Sequence, residues 1–241
     1  PLRVTCLKLQ KITLTVSDHS MKHLIPIFIS TLCILGCGKT ANQLNKEAEA
    51  LEAKGEFNKS IVLLKKAIEK DPNNKYVLIN LGVDQSIIGD YQGAIGTYSA
   101  LINIDTKNGL AFLNRGKNKV RIKDFNGAVE DFNCVINNQG GEMFQIRLNN
   151  DYLDLGDEFE VDMEEVLFER AIAYYNLDSI VLAFNDLNFC ISNKHELSSS
   201  YYWRGYIYLA YNNTKEACKD FNLALRHGDT TVHYEIGKFC Q

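Results

Sequence analysis

The sequence predicts an all-α fold, an αα-superhelix of stacked helix pairs, carrying a small β-hairpin insertion. Three observations lead there. A pattern recurs every 34 residues, small side chains hold two fixed positions in each recurrence, and large ones hold the positions that would flank them. With Pro72 at position 32 of a 34-residue unit, units start at Ala41, Lys75 and Gly109. The pattern returns at Glu164 and Ser198, and a remnant opens at Val232. Such a period marks a repeat architecture, in which no unit buries its own apolar face and neighbours must stack.

Position 8 reads Ala48, Gly82, Gly116, Ala171 and Gly205, and position 20 reads Ser60, Ala94, Ala128, Ala183 and Ala217. Position 24 reads Leu64, Tyr98, Phe132, Leu187 and Phe221, and position 4 reads Leu44, Leu78, Phe112, Leu167 and Tyr201. Two antiparallel helices approach closely only where small side chains face each other, so positions 8 and 20 mark the contact. The large residues then fill the space on either side. Gly55, Gly89 and Asn212 fall in the turn between the two helices, where each suits a helix C-cap.

This pattern resembles the tetratricopeptide repeat (TPR), over residues 41–142 and 164–231. Departures are a Pro at position 32 only at Pro72, Gln85 and Lys119 at position 11, and Thr214 at position 17. The resemblance implies a right-handed superhelix whose first helices line a groove for an extended peptide or partner helix, at positions 2, 5, 9 and 12. In this chain those positions give the candidate groove residues Tyr76, Ile79, Val83, Leu113, Lys117, Phe168, Ile172, Tyr175, Tyr202 and Tyr206. Some of these are equally suited to packing against the following helix. The carboxylate-clamp subfamily places Lys and Asn at positions 5 and 9 of a leading unit, where this chain has Asn45 and Glu49, so the clamp is not expected.

Acid and base vary together in the repeats. Position 7 is Arg115, Arg170 and Arg204 in units three to five, and position 23 is Asp131, Asp186 and Asp220 in the same units. Units one and two have Glu47 with Leu63 and Leu81 with Thr97. The spacing predicts an inter-helix ion pair within each of the last three units. A role repeated three times suits packing better than catalysis.

Residues 143–163 interrupt the period. Met143–Leu148 and Glu158–Met163 alternate apolar and polar residues around a polar stretch with Asn149, Asn150 and Gly156, which predicts a β-hairpin. A lone hairpin is marginal, so its apolar face is expected on the array. Eight acids and no Lys or Arg lie between Asp151 and Glu165. Their spacing differs from a calcium-binding EF-hand loop, so the expectation is a solvated acidic insert serving as a second contact surface.

The amino-terminal 40 residues follow different rules. Residues 1–20 show no 3.6 period and are expected to be a disordered upstream extension. From Met21 come Lys22 and His23, a 12-residue apolar run from Leu24 to Leu35, then Gly36 and Cys37. The run falls short of the ~20 residues that span a bilayer and has the length of a signal-peptide core. Ile34-Leu35-Gly36-Cys37 resembles the lipobox of bacterial lipoproteins, departing from its commonest form at Ile34 and Leu35. The resemblance implies cleavage before Cys37, a lipid on its thiol and a tether over 37–40. The chain would then sit in a bacterial cell envelope; the alternative is a cytoplasmic protein.

Composition narrows the function. Apolar residues are 46% and charged residues 23%, a globular balance rather than a disordered one. The net charge is −4, which argues against the basic face of a nucleic-acid binder. His195, His227 and His233 have no neighbours at zinc-ligand spacing, and no hydrolase, metalloprotease or phosphate-loop motif occurs. Cys134, Cys190, Cys218 and Cys240 form no Cys-x-x-Cys, and no disulfide framework is indicated. No catalytic residue, metal, cofactor or small-molecule substrate is therefore expected. The expected function is a lipid-anchored adaptor that binds a protein partner. The alternatives are a cytosolic TPR co-chaperone or regulator, and a metal-binding subunit using the acidic insert.

Overall fold

A computed structural model describes residues 38–138 and 161–240. The helices are α1 (Ala41–Glu52), α2 (Phe57–Lys70), α3 (Lys75–Ile87), α4 (Tyr91–Ile104), α5 (Gly109–Arg121) and α6 (Phe125–Asn138). After the insert come α7 (Met163–Asn176), α8 (Ile180–Ser192), α9 (Leu197–Ala210), α10 (Thr214–Arg226), a short 3₁₀ turn at Thr230–Val232, and α11 (His233–Phe239). Successive helices pair, and each second helix also packs on the first helix of the next pair. Among the described residues there is no strand.

The predicted hairpin and the proposed leader, anchor and upstream extension lie outside the described residues, apart from the hairpin's last three positions. Those three are not a strand end. Val161 is buried with Phe112, Phe132 and Val166, and Asp162 caps α7 by accepting from the Glu164 amide at 3.0 Å. Met163 is the first helical residue. The alternation that suggested a strand here is the approach to a helix, and Val161 is apolar because it enters the core. That core runs on across the insert, since α6 and α7 pack on each other.

Local signals recur with the period. Asn74 and Asn108, both at position 34, cap α3 and α5 by accepting from Val77 N at 3.3 Å and Ala111 N at 2.9 Å. Thr40 and Gln43 form a capping box at the start of α1. Position 15 is left-handed in every unit: Gly55 (φ 73°), Gly89 (82°), Lys123 (65°), Asp178 (57°) and Asn212 (56°). Gly adopts this without steric cost, whereas Lys123 and Asp178 hold it against their own preference because the helix pair demands the same tight turn.

Each pair closes through one interlock. A Cβ added at Gly82 would lie 2.6 Å from the Tyr98 ring, at Gly116 2.6 Å from the Phe132 ring, and at Gly205 2.7 Å from the Phe221 ring. The ring at position 24 thus occupies the room that a side chain at position 8 would need. Where position 8 is Ala48 or Ala171, position 24 is the narrower Leu64 or Leu187, and all four are buried. Glycine with a ring and alanine with leucine are two solutions to one packing problem.

The three arginines join repeats as well as helices. Arg115 donates to Asp131 through Nε (2.9 Å) and Nη2 (2.6 Å), Arg170 to Asp186 at 2.8 and 2.9 Å, and Arg204 to Asp220 at 2.7 and 2.8 Å. The remaining Nη1 reaches back to the preceding unit: to Ser99 (3.1 Å), Asn133 (2.7 Å) and Asn188 (2.7 Å), all at position 25. Each guanidinium also lies over a ring of its own helix, Phe112, Tyr174 and Tyr201 respectively, at 5.4 Å. The planar fork meets the carboxylate bidentately and still has a donor to spare, which a Lys could not offer.

The end of the array departs from the expectation of no disulfide. Cys218 in α10 and Cys240 after α11 are joined, 22 residues apart with Cα atoms 5.5 Å apart. The turn at Thr230–Val232 folds α11 back along α10 and brings the two sulfurs together. No local spacing encodes that meeting.

Three outcomes follow. Gly116→Ala lowers the unfolding free energy by about 1–3 kcal/mol through overpacking on Phe132, and adding Phe132→Leu recovers most of that loss; denaturant titration of both variants checks it. Arg170→Leu strands the Asp186 carboxylate and costs about 3 kcal/mol, read the same way. Reduction, or Cys240→Ser, lowers stability by about 3 kcal/mol in thermal unfolding, because a loop of this size is no longer closed in the unfolded chain.

Candidate functional site

The first helices present the residues singled out from the sequence, and the structure sorts them into different environments. Tyr76 and Val83 on α3 are exposed (43% and 39%). Ile79, between them on the same face, is half-buried against the core of the second pair. Leu113 is only 2% exposed and packs with Phe112, Phe132 and Val166. It is a core residue and offers no surface, because position 5 of α5 turns toward the neighbouring pair rather than outward. Lys117 is half-exposed and bridges to Glu165 at 2.8 Å and Glu169 at 3.9 Å on α7, tying the units on either side of the insert. Burial pushes the Glu169 carboxyl above its ordinary range while Lys117 pulls it down.

Toward the carboxyl end the face becomes aromatic. Phe168, Ile172, Tyr175, Tyr202 and Tyr206 are all half-buried. Tyr175 meets Trp203 edge-on at 5.3 Å, and Tyr202 contacts Trp203 at 5.8 Å and Tyr206 at 5.1 Å. Tyr206 then packs on the Phe221 ring at 5.6 Å and donates its hydroxyl to Glu235 on α11 at 2.8 Å. A continuous run of rings therefore joins α7 to α10, and the Tyr206 hydroxyl links it to the last helix. Trp203 was not among the residues expected from positions 2, 5, 9 and 12; it sits at position 6, beside them on the helix.

A cavity of about 420 Å³ opens between α3, α4 and α5. Val83, Ile87 and Tyr91 supply its apolar wall, and Asn114, Lys117 and Arg121 its polar one. The sequence reading reached Val83 and Lys117 but not Ile87 or Arg121. Both lie at position 13, one helical turn beyond position 9, and continuing the spacing by four residues would have found them. Of its two cations, Lys117 is bridged to Glu165 and Glu169, and Arg121 also acts on Glu169, so acids of α7 offset the charge of this wall.

Groups able to do covalent chemistry are placed unfavourably. Cys190 is buried, and burial, with Asp186 and Glu164 nearby, pushes its thiol up to about 12. At neutral pH it is a thiol, not a nucleophilic thiolate. Cys134 is half-buried among Phe112, Phe132 and Val135. His195 approaches the exposed Asp162 at 3.6 Å and the Phe168 ring at 6.4 Å, and His227 stacks on Tyr201 at 5.7 Å. Among the described residues no group of three or more His, Cys, Asp or Glu is arranged to hold a metal, and no helix is long and apolar enough to cross a membrane.

Solved structures with this architecture are numerous and distant in sequence. MamA from Desulfovibrio magneticus RS-1 superposes with a TM-score of 0.65 at 14% identity, over 80% of this chain and 99% of that one. Another MamA structure gives 0.62 at 22% identity, over 84% and 97%. YrrB, described as a TPR protein with an unusual peptide-binding site, gives 0.63 at 15% identity, over 86% and 97%. No protein-family profile matches the chain, and no curated protein matches it in sequence. The likeness is one of fold: the described part of the chain has the stacked helix-pair architecture of these structures.

Proposed function

We propose that the chain is a non-enzymatic adaptor that holds a partner peptide or helix along the first helices of its TPR array, lipid-anchored through Cys37 in a bacterial envelope. The observation that carries the binding role is the first-helix face. Tyr76 and Val83 stand exposed, Val83 on the wall of an open cavity, and the rings of Tyr175, Tyr202 and Tyr206 continue the face at half-exposure. Rigid aromatic side chains on a preformed scaffold lose little entropy on binding, which is why such residues dominate interaction sites. The solved TPR structure described by its peptide-binding site gives the reading a precedent in the same architecture.

Two features support an exported location. The Cys218–Cys240 disulfide suits an oxidising compartment, where such bonds persist. The segment from Met21 to Cys37 has the order of a lipoprotein signal, with the apolar run ending at Gly36-Cys37. On this reading residues 21–36 are removed, 37–40 tether the body, 41–142 and 164–231 are the repeats, and 143–163 is an acidic second contact surface. Four residues reach about 14 Å, so the first repeat would lie close to the bilayer.

Photo-crosslinkers at Tyr175 and Tyr202 in cells are expected to trap one and the same partner, and Val83→Asp to reduce the yield at least tenfold without changing the melting temperature. Crosslinks that are diffuse, or indifferent to Val83→Asp, would remove the binding surface. Labelled palmitate is expected to join the chain and to be lost in Cys37→Ala, with the protein then leaving the membrane fraction.

A further inference from the structure

The joint between the first two repeats is built differently from the others. Unit two has Leu81 at position 7, so no arginine reaches back to unit one. Acids are buried there instead. Asp84 on α3 is 1% exposed, and its Oδ2 has no hydrogen-bond partner. The carboxyl of Glu52, in the last turn of α1, is close enough for the two carboxyls to act on each other. Ser60 on α2, fully buried, donates its hydroxyl to Glu52 Oε1 at 2.9 Å and lies within reach of Asp84 as well. It holds position 20, where the other four units have Ala.

Among the described residues, the groups that act most on the two carboxyls carry no positive charge. From α1 the other charged group acting on Glu52 is Glu49, whose Oε1 already accepts from Asn45 and Asn80. From α4 comes Tyr98, whose buried hydroxyl feels the Asp84 charge. Neither Lys, Arg nor His is among the groups that act on Glu52 or Asp84. The carboxyl end of α1 adds its own partial negative charge beside Glu52. Two neighbouring carboxyls, Asp84 buried and Glu52 partly buried, with no cation among the described groups acting on them, resist double ionisation.

We infer that Glu52 and Asp84 share one proton in the folded protein, and that this acid pair, seated by Ser60, is a pH-set clasp between the first repeat and the second. The inference stands whether or not the face beyond it binds a partner. Burial, followed by the Asp84 charge, pushes the Glu52 carboxyl up to about 7, and burial raises Asp84 as well. The sign follows from linkage. The folded state holds a proton that the unfolded chain releases near pH 4.3, so the clasp's contribution is complete below that value and is lost as pH rises to about 7. Neutral and alkaline conditions loosen α1 from α3, and mild acid fastens them.

The test compares the full chain with Glu52→Gln and Asp84→Asn, measuring unfolding by denaturant from pH 4.5 to 8, in EDTA and with added calcium chloride. The folded-to-unfolded ratio of the parent, relative to that of Glu52→Gln, is expected to fall by roughly tenfold or more between pH 4.5 and 7.5. A ratio that stays constant across that range would overturn the clasp. So would calcium-dependent stabilisation of the parent that both variants lack, which would put a cation where we place a proton. Should either variant fail to fold, ¹³C carboxyl shifts of the parent decide: a carboxyl with an apparent midpoint near 7 supports the pair, and carboxyls all titrating below pH 5 reject it.

Discussion

The distance between the two helices of a pair is the constraint on which the structure depends. It is set at one point, where the ring of Tyr98, Phe132 or Phe221 lies against a backbone bared by Gly82, Gly116 or Gly205. In the first and fourth pairs a leucine meets an alanine instead. Because interiors pack at near-crystalline density, that single contact fixes the separation and tilt of both helices. The turn has no freedom left, and residues as different as Gly55 and Lys123 take the same left-handed conformation there. The faces that pair n offers to pair n + 1 are then determined, and stacking follows.

Between pairs, polar contacts add direction to an apolar seam. Each arginine satisfies its own aspartate with two donors and the preceding repeat with a third, so repeats two to five are joined in one register. The first joint replaces this with a serine and two acids, and the last helix is held by a covalent bond. Stability in such arrays is a sum of unit and interface contributions, so interfaces of different chemistry respond to different conditions. The proposed acid pair would make the first joint respond to pH, and the disulfide makes the last helix respond to redox state.

The face proposed for binding has an economical construction. Residues such as Ile79, Tyr202 and Tyr206 pack partly into the array and remain partly open, so a partner would meet side chains already ordered by the fold. The polar wall formed by Asn114, Lys117 and Arg121 interrupts this apolar run at the cavity between the second and third repeats, with Lys117 held by Glu165 and Glu169.

The period, the small and large positions within it, and the covariation of Arg with Asp are properties of the chain's order, and the sequence alone determines the helix pairs and their stacking. It does so because each is a short-range pattern: helical spacing places residues four apart on one face, and a repeat copies the same demand at a fixed interval. The coupling of glycine with a ring at position 24, the third arginine donor to position 25, the burial of Leu113, the place of Trp203 beside the candidate face, and the meeting of Cys218 with Cys240 were decided only in three dimensions. The proposed pairing of Glu52 with Asp84 belongs with them. Each depends on how far one helix is rotated against another, and a rotation of a few tens of degrees separates a core residue from a surface one. Local spacing constrains that angle weakly; the packing of whole side chains between helices fixes it.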